Sequence, residues 1–482
     1  MKKVISHITI VLFGWVILLF TSSCEDFLDL NPISEQNVND FYQDANDIET
    51  AVNGAYQSLH LIYNNYYFFG EVRSDNTTIQ TFVINNADID EFSISTSNTN
   101  VSQIWASCYT GISRINAALD RIGGIEMEDE LRSRYVGELK FLRGFIYFQL
   151  AKIFGGVPLV LEEVNDPQVG FEHTRASLDD LYLQIEQDLG DAVESLPASY
   201  DAENMGRATS GAARALLARV HLTQGENQQA VPLLETVIES DTYELLPAYE
   251  DVFDINNANN AEILFSVRYQ GGGTGTGSPF NNLFAPKAAG EIVTQLGQAN
   301  GQNVPEQGLL DAYEEDDLRF DATISMGFTN AEDEFVEDPF TTKFLDPGML
   351  APFDASNDWP VLRYADVLLM YAEALGESDD AYDAINRVRT RAGLPDIDET
   401  SPGTFTEKLL QERRVELAFE GHRWFDLVRL DQFIEVMNAE GTVPFEKETS
   451  YRNTTGYSPF PSQRSMSTLT WNKTTAIHFR MT

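Results

Sequence analysis

The sequence predicts a mainly α-helical protein whose tetratricopeptide-like helical hairpins stack against an irregular, loop-rich half with few short strands. Apolar residues recur at helical spacing over most of the chain. Two helical pairs carry small residues where helices cross, whereas residues 61–100 and 241–362 lack helical periodicity. Because a helical hairpin cannot bury its apolar face alone, we expect the hairpins to form a solenoid.

Four helices are predicted before the first hairpin, over residues 47–60, 101–124, 129–156 and 177–197. In the first, Ile48 and Leu59 belong to one apolar face. The second and third end at Gly-Gly pairs, which suit helix C-caps. The fourth opens with Ser177 and Asp180 in a capping-box-like pattern and stops before Pro197.

The hairpins are predicted over residues 209–225 with 227–240 and over residues 363–377 with 379–395, followed by a helical block over 405–433. Ala212, Ala215 and Ala218 allow a neighbouring helix to approach closely, as in tetratricopeptide units.

The irregular half contains one predicted strand, residues 262–270, followed by the flexible connector GGGTGTGSP. Its remaining residues are rich in Asn, Ser, Thr and aromatic side chains. Long irregular stretches in a compact protein usually carry function, so we expect the ligand site there.

The charge balance excludes some partners. The 482 residues include 32 basic and 75 acidic side chains, a formal net charge of −43. Such a surface repels phosphate backbones, so nucleic-acid binding is not expected.

The amino terminus has the pattern of a secretory signal. A basic MKK precedes the apolar residues 8–20, and small residues then lead to Cys24. We predict a lipoprotein signal over residues 1–23 with lipidation at Cys24; the alternative is an anchor helix that stays attached. Cys108, the other cysteine, is predicted to be a small buried hydrophobe.

Several segments together resemble the SusD/RagB family of outer-membrane nutrient-binding lipoproteins. They are CEDFLDLNP, GELKFLRGFIYFQLAKIFGGVPLV, RATSGAARALLARVHLTQG, RYADVLLMYAEAL, INRVRTRAGLP and RRVELAFEGHRWFDLVR. The predicted regions are the signal, a helical region 24–240 containing the insertion 61–100, the irregular ligand-binding insertion 241–362, a helical region 363–460, and the tail 461–482.

The resemblance implies a non-enzymatic protein on the outer face of the outer membrane. Such a protein binds oligosaccharides or other oligomeric nutrients and delivers them to a SusC-like TonB-dependent transporter. Two alternatives are a lipid-anchored glycan-degrading enzyme and a helical-repeat scaffold of the outer membrane.

The tail 461–482 departs from the family's usual ending. Plausible codons for residues 467–477, read in a shifted frame, encode Asn-Pro-Asn-Leu-Glu-Gln-Asn-Tyr-Gly-Tyr, which is similar to that ending. We therefore hypothesise a frameshift near residues 461–466.

Residues 412–429 are dense in charge but have the spacing of a core element. Glu412, Glu416 and Glu420 are predicted to pair with neighbouring arginines in a structural ion-pair network. The predicted partners are Arg413, Arg414 and Arg423.

No catalytic residue and no cofactor are predicted. The six histidines show no metal-ligand spacing, and carboxylate pairs arise by chance among 75 acids. A calcium site in residues 354–358 or 314–317 is the alternative that the abundant oxygen ligands leave open.

The ligand-binding candidates are aromatic platforms beside amides and carboxylates, the groups that suit the apolar faces and hydroxyls of sugars. They are Tyr66, Tyr67, Phe69, Asp75, Asn76, Tyr269, Phe280, Asn281 and Phe284. The alternative is that these aromatic residues only anchor long loops. Alanine at four of them, Tyr66, Tyr67, Phe280 and Phe284, is expected to leave folding intact.

Overall fold

The structure is a computed structural model that describes residues 41–439 except 82 and 171. The signal, Cys24 and the tail 461–482 lie outside the described residues. The helices are α1 Ala45–Tyr67, α2 Ile84–Asp90, α3 Thr99–Ile122, α4 Asp129–Phe154, α5 Pro167–Gly170, α6 Leu178–Ser195, α7 Ser210–Gln224, α8 Asn227–Glu239, α9 Phe280–Phe284, α10 Gln307–Leu310, α11 Arg319–Thr323, α12 Tyr364–Leu375, α13 Asp379–Arg391, α14 Phe405–Glu416, α15 Arg423–Arg429 and α16 Phe433–Ala439. The strands are β1 Thr77–Thr78, β2 Ile263–Val267, β3 Val304–Pro305, β4 Ile324–Thr329, β5 Phe335–Thr341 and β6 Trp359–Arg363.

The helical half confirms the predicted fold class. Successive helices pack side by side: α1 on α3, α3 on α4, α4 on α6, α6 on α7, α7 on α8, α8 on α12 and α12 on α13. Cys108 is fully buried in this core, and burial raises the pKa of its thiol. None of the described helices is long and apolar enough to cross a membrane.

The irregular half contains three separate two-stranded antiparallel sheets, which pair β1 with β3, β2 with β6, and β4 with β5. The predicted strand 262–270 is observed as β2, and its partner β6 leads directly into α12. In the first sheet Thr77 lies opposite Pro305, so this short pairing joins the insertion 61–100 to residues beyond 300.

Residues 61–72 are helical, contrary to the expectation of an irregular stretch. α1 continues to Tyr67, and a π-helical turn follows over Phe68–Val72. The apolar spacing of Leu59, Ile62 and Tyr66 continues the pattern of the earlier turns. The aromatic run therefore belongs to the core face of a helix.

The predicted helical block 405–433 contains two helices, α14 and α15, and α16 begins at its last residue. α14 ends at Glu416, and the chain turns sharply before α15 begins at Arg423. In this turn Phe419 and Gly421 have φ values of 68° and 82°, which end a right-handed helix. A side chain on Gly70 would lie 2.3 Å from the Gly421 carbonyl oxygen, so the π-helical turn packs here only with glycine.

The ion-pair network predicted for residues 412–429 is present, but its partners are distant in sequence rather than the neighbouring arginines. Glu416, fully buried at the end of α14, pairs with Arg319, Arg363 and Arg391. Burial alone would raise the pKa of Glu416, but these arginines hold that pKa well below its ordinary value. The whole buried ion-pair network contains the carboxylates Glu262, Asp317, Glu412, Glu416 and Glu420 and the cations Arg319, Lys343, Arg363, Arg389 and Arg391.

Glu71 lies in the π-helical turn, fully buried, and accepts a 3.3 Å hydrogen bond from the Gly421 amide. Its second oxygen has no hydrogen-bond partner among the described residues. Burial raises the pKa of Glu71 to about 8.

The Glu71→Gln substitution should remove one source of pH dependence. The folded protein retains the Glu71 proton up to about pH 8, whereas the unfolded chain releases it near the ordinary value of 4.5. Between these values, rising pH therefore lowers the free energy of unfolding. The variant cannot ionise at this position, so relative to wild type it should gain up to roughly 1.4 kcal/mol per pH unit between about pH 5 and pH 8.

Denaturant unfolding of both proteins across this pH range measures the effect. Glu91→Gln, at an exposed carboxyl, is the matched control and should track wild type. A constant difference between Glu71→Gln and wild type would contradict the assignment.

Candidate ligand-binding face

All nine side chains predicted to contact a ligand are buried. The most accessible of them, Tyr269, is only 6% exposed. The expectation of accessible aromatic platforms is therefore wrong in this structure, because a ring enclosed by protein offers no face to a sugar. The placed residues are Tyr66, Tyr67, Phe69, Asp75, Asn76, Tyr269, Phe280, Asn281 and Phe284.

The rings from the two predicted regions meet in one aromatic cluster, which comprises Tyr67, Phe280, Phe284, Phe344 and Trp359. The ring centroids of Phe280 and Trp359 are 4.8 Å apart, and those of Tyr67 and Phe284 are 5.0 Å apart. These separations are typical of favourable aromatic pairs. Removing a fully buried ring lowers the free energy of unfolding by about 3–5 kcal/mol. Alanine at Phe280 should therefore destabilise the fold, whereas a surface substitution would not.

Tyr66 and Phe69 lie elsewhere in the core. The Tyr66 ring stacks on Phe425 at 5.8 Å, and its hydroxyl accepts a 2.7 Å hydrogen bond from the Lys152 amine. Phe69, in the π-helical turn, is part of the main hydrophobic core.

Asp75 and Asn76 are fixed by Arg414 of α14 and Arg423 of α15. Both oxygens of Asp75 accept 2.8 Å bonds from Arg423, and the Asn76 side-chain oxygen accepts a 2.8 Å bond from Arg414. Burial alone would raise the pKa of Asp75, but Arg423 and Arg414 hold that pKa below its ordinary value. These two buried polar groups therefore connect the segment after the π-helical turn to Arg414 and Arg423.

Asn281 and its neighbour Asn282 bind the backbone of two long loops. The Asn281 side-chain oxygen accepts a 2.9 Å bond from the Asp346 amide. The Asn282 side chain accepts a 2.9 Å bond from the Phe353 amide and donates a 2.7 Å bond to the Leu296 carbonyl. The two amides therefore tie the segments around residues 296 and 353 to α9.

Tyr269 joins the same scaffold to α1. Its ring stacks on the imidazole of His60 with a centroid distance of 4.5 Å, and its hydroxyl bonds to the Asn64 side chain at 3.2 Å. Its edge meets Phe280 at 5.7 Å, so it also borders the aromatic cluster.

Above this scaffold lies a surface that we call the loop face, formed by residues 79–81, 286–301 and 346–356. Residues 79–81 bond directly to 286–301, and the Asn282 side chain ties 286–301 and 346–356 to α9. The Gln80 amide donates a 2.6 Å bond to the Gly301 carbonyl, and the Lys287 amide donates a 2.9 Å bond to the Gln80 side chain. Hydrogen bonds therefore connect the segments of the loop face to one another and to α9.

The loop face exposes large apolar side chains beside amides. Leu350 is 79% exposed and Phe353 is 40% exposed, and Ile292 and Leu296 are also exposed. Gln298 is an exposed amide on the same face. Phe353 has a φ of 58°, an uncommon and costly conformation for a bulky residue. The Asn282 bond holds this strained residue in place with its ring partly in solvent.

Sequence reasoning missed Leu350 and Phe353. They occur in DPGMLAPF, where Leu350 lies between Gly348 and Pro352 and Phe353 follows that proline, in a stretch without periodicity. That pattern was the available signal, since an apolar residue in a turn has no helix or strand face to join.

Four carboxylates of the two segments considered for calcium form internal bonds. Asp354 accepts 2.8 and 2.7 Å bonds from the amides of Gly272 and Gly273, and Asp358 pairs with Arg268 at 2.6 Å. In residues 314–317, Asp317 pairs with Arg319 and Glu314 with Arg389. These oxygens are engaged by protein donors in the structure.

The helical hairpins packed beside a loop-rich half define a helical-repeat architecture, and comparisons with known proteins connect it to a family. Residues 26–222 match a SusD-like family model described as starch-binding associating with outer membrane, and residues 329–473 match the SusD family model. Together these two matches support a SusD-like protein.

Named relatives align with this chain over most of its length. SusD-like protein P2 of Formosa agariphila is 28% identical over 472 residues, covering 89% of this chain and 92% of the relative. The starch-binding protein SusD of Bacteroides thetaiotaomicron is 25% identical, covering 72% and 74%. The solved structure of a laminarin-binding SusD-like protein superimposes with a TM-score of 0.74 at 28% identity, covering 85% of this chain and 95% of that one.

Proposed function

We propose that this protein is a cell-surface lipoprotein that binds an oligosaccharide nutrient at the loop face and delivers it to a TonB-dependent transporter. The observation that carries the proposal is the strained, half-exposed Phe353, held beside exposed apolar and amide side chains on a rigid buried scaffold. Family relatives named for starch and laminarin binding support the ligand class.

The loop face has the chemistry that sugar recognition needs. The carbon-rich face of a pyranose packs on an aromatic ring such as Phe353, while the Gln298 amide can both donate to and accept from its hydroxyls. Because the contacts are stacking and hydrogen bonds, the ligand is released unchanged. The proposed role is therefore binding without catalysis.

The anchor is proposed at Cys24, which directly follows the predicted signal over residues 1–23. Each buried CH₂ of an acyl chain contributes roughly 0.8 kcal/mol, so several chains on one residue give stable attachment. The family description of association with the outer membrane supports this location. Attachment by one end leaves the loop face available to a partner transporter.

Alanine at Phe353 or at Gln298 should weaken oligosaccharide binding at least tenfold while leaving the folded protein stable, because both side chains are exposed. A glycan array that includes starch and laminarin oligosaccharides finds the ligand, and calorimetric titration of the best ligand measures the effect. Leu183→Ala, at an exposed apolar residue of α6 on the helical half, is the matched control and should bind as wild type does.

Binding by Phe353→Ala and Gln298→Ala with wild-type affinity would exclude the loop face as the site. Release of reducing sugar by the purified protein would instead favour the enzyme alternative. Failure to bind any glycan on the array would contradict the ligand class.

Cys24→Ser should abolish lipidation and release the protein from the outer-membrane fraction. Metabolic labelling with a palmitate analogue, followed by envelope fractionation, measures both effects. Cys108→Ser, at the buried cysteine, is the control and should remain labelled. Equal labelling of wild type and Cys24→Ser would place the anchor elsewhere.

A further inference from the structure

Three potential metal-ligating side chains meet on the helical half, on elements that contribute nothing to the loop face. They are Glu186 of α6, His221 of α7, and Glu226 in the turn that follows α7. One ligating atom from each lies within 4.8 Å of the others. Among the described residues, these three side chains form the group of three or more potential metal ligands that lie this close together.

The helix ends place these groups together. Gly225, with a φ of 76°, closes α7, and the Glu226 amide then donates a 2.9 Å bond to the His221 carbonyl. This turn puts the His221 Nδ1 atom 2.8 Å from Glu226 Oε2. Gln224 donates a 2.6 Å bond to Glu186 Oε1, which orients the third group from the adjacent helix.

The charges of this group are not balanced by basic residues. Two carboxylates face one imidazole, and neither forms an ion pair with a lysine or arginine of the described chain. The His221 side chain is 12% exposed and that of Glu226 is 38% exposed, so the group is held by the fold and still open to solvent. Such a pocket favours a cation that can bond to nitrogen and oxygen together.

We propose that Glu186, His221 and Glu226 bind a divalent transition-metal ion such as Zn²⁺. Imidazole suits transition ions, and one histidine with carboxylates and an open position for water fits the tetrahedral preference of zinc. The ion occupies the place between His221 Nδ1 and Glu226 Oε2. Small side-chain rotations bring all three ligands to bonding distances of about 2.0–2.2 Å.

The site joins α6 to the hairpin of α7 and α8. The ion therefore links two successive helical units of the solenoid through side chains. It is independent of glycan binding at the loop face. Histidine spacing along the sequence did not reveal it, because Glu186 lies on a different helix from His221 and the three meet only after folding.

Titration of the purified full-length protein with zinc chloride tests the site, with calorimetry for affinity and thermal unfolding for stability. Zinc should bind with one-to-one stoichiometry and raise Tm. His221→Gln and Glu186→Gln should each weaken binding at least tenfold. Glu194→Gln, at an exposed carboxyl of the same α6 helix, should bind as wild type does.

The Tm of each variant without metal establishes that it is folded. No zinc binding, equal binding in His221→Gln and wild type, or binding of calcium in preference to zinc would each overturn the proposal.

Discussion

The buried ion-pair network around Glu416 is the interaction on which the arrangement of the two halves depends. Glu416 ends α14 and binds Arg363 of β6, Arg391 of α13 and Arg319 of α11. These partners come from both the helical and the irregular half of the chain. A buried charge pair adds little net stability over an apolar core, but losing one partner leaves a charge stranded. Any other placement of these elements would leave buried charges without partners, so the network stabilises one arrangement over the others.

That placement positions the loop face. Glu420 extends the network by pairing with Arg363 and Lys343, and its carbonyl accepts a 3.2 Å bond from the Trp359 indole. Trp359 is part of the aromatic cluster, next to α9, and the α9 amide Asn282 fixes the backbone of Phe353. A continuous series of contacts thus runs from a buried charge to an exposed ring. Pre-organisation of this kind lowers the entropy lost when a ligand binds.

The sequence allowed the helices to be predicted because their signal is local. Apolar spacing located α1, α3, α4 and α6 to α8 within a few residues, except where α1 ran on through an aromatic run taken for a loop. The site depended on contacts distant in sequence. Asn282 and Phe353 meet across 71 positions, and no local pattern separates a buried Phe280 from an exposed Phe353. Rings beside amides identified buried residues that support the proposed loop face rather than its exposed surface.

Glu416→Gln tests the central role of the network most directly. The change keeps the shape of the side chain and removes its charge, so the three arginines lose their shared partner. We expect a loss of about 3–5 kcal/mol in the free energy of unfolding and faster amide hydrogen exchange in β2, β6 and residues 417–421. Glu399→Gln, at an exposed carboxyl, should change neither. Wild-type stability and exchange in Glu416→Gln would contradict the account.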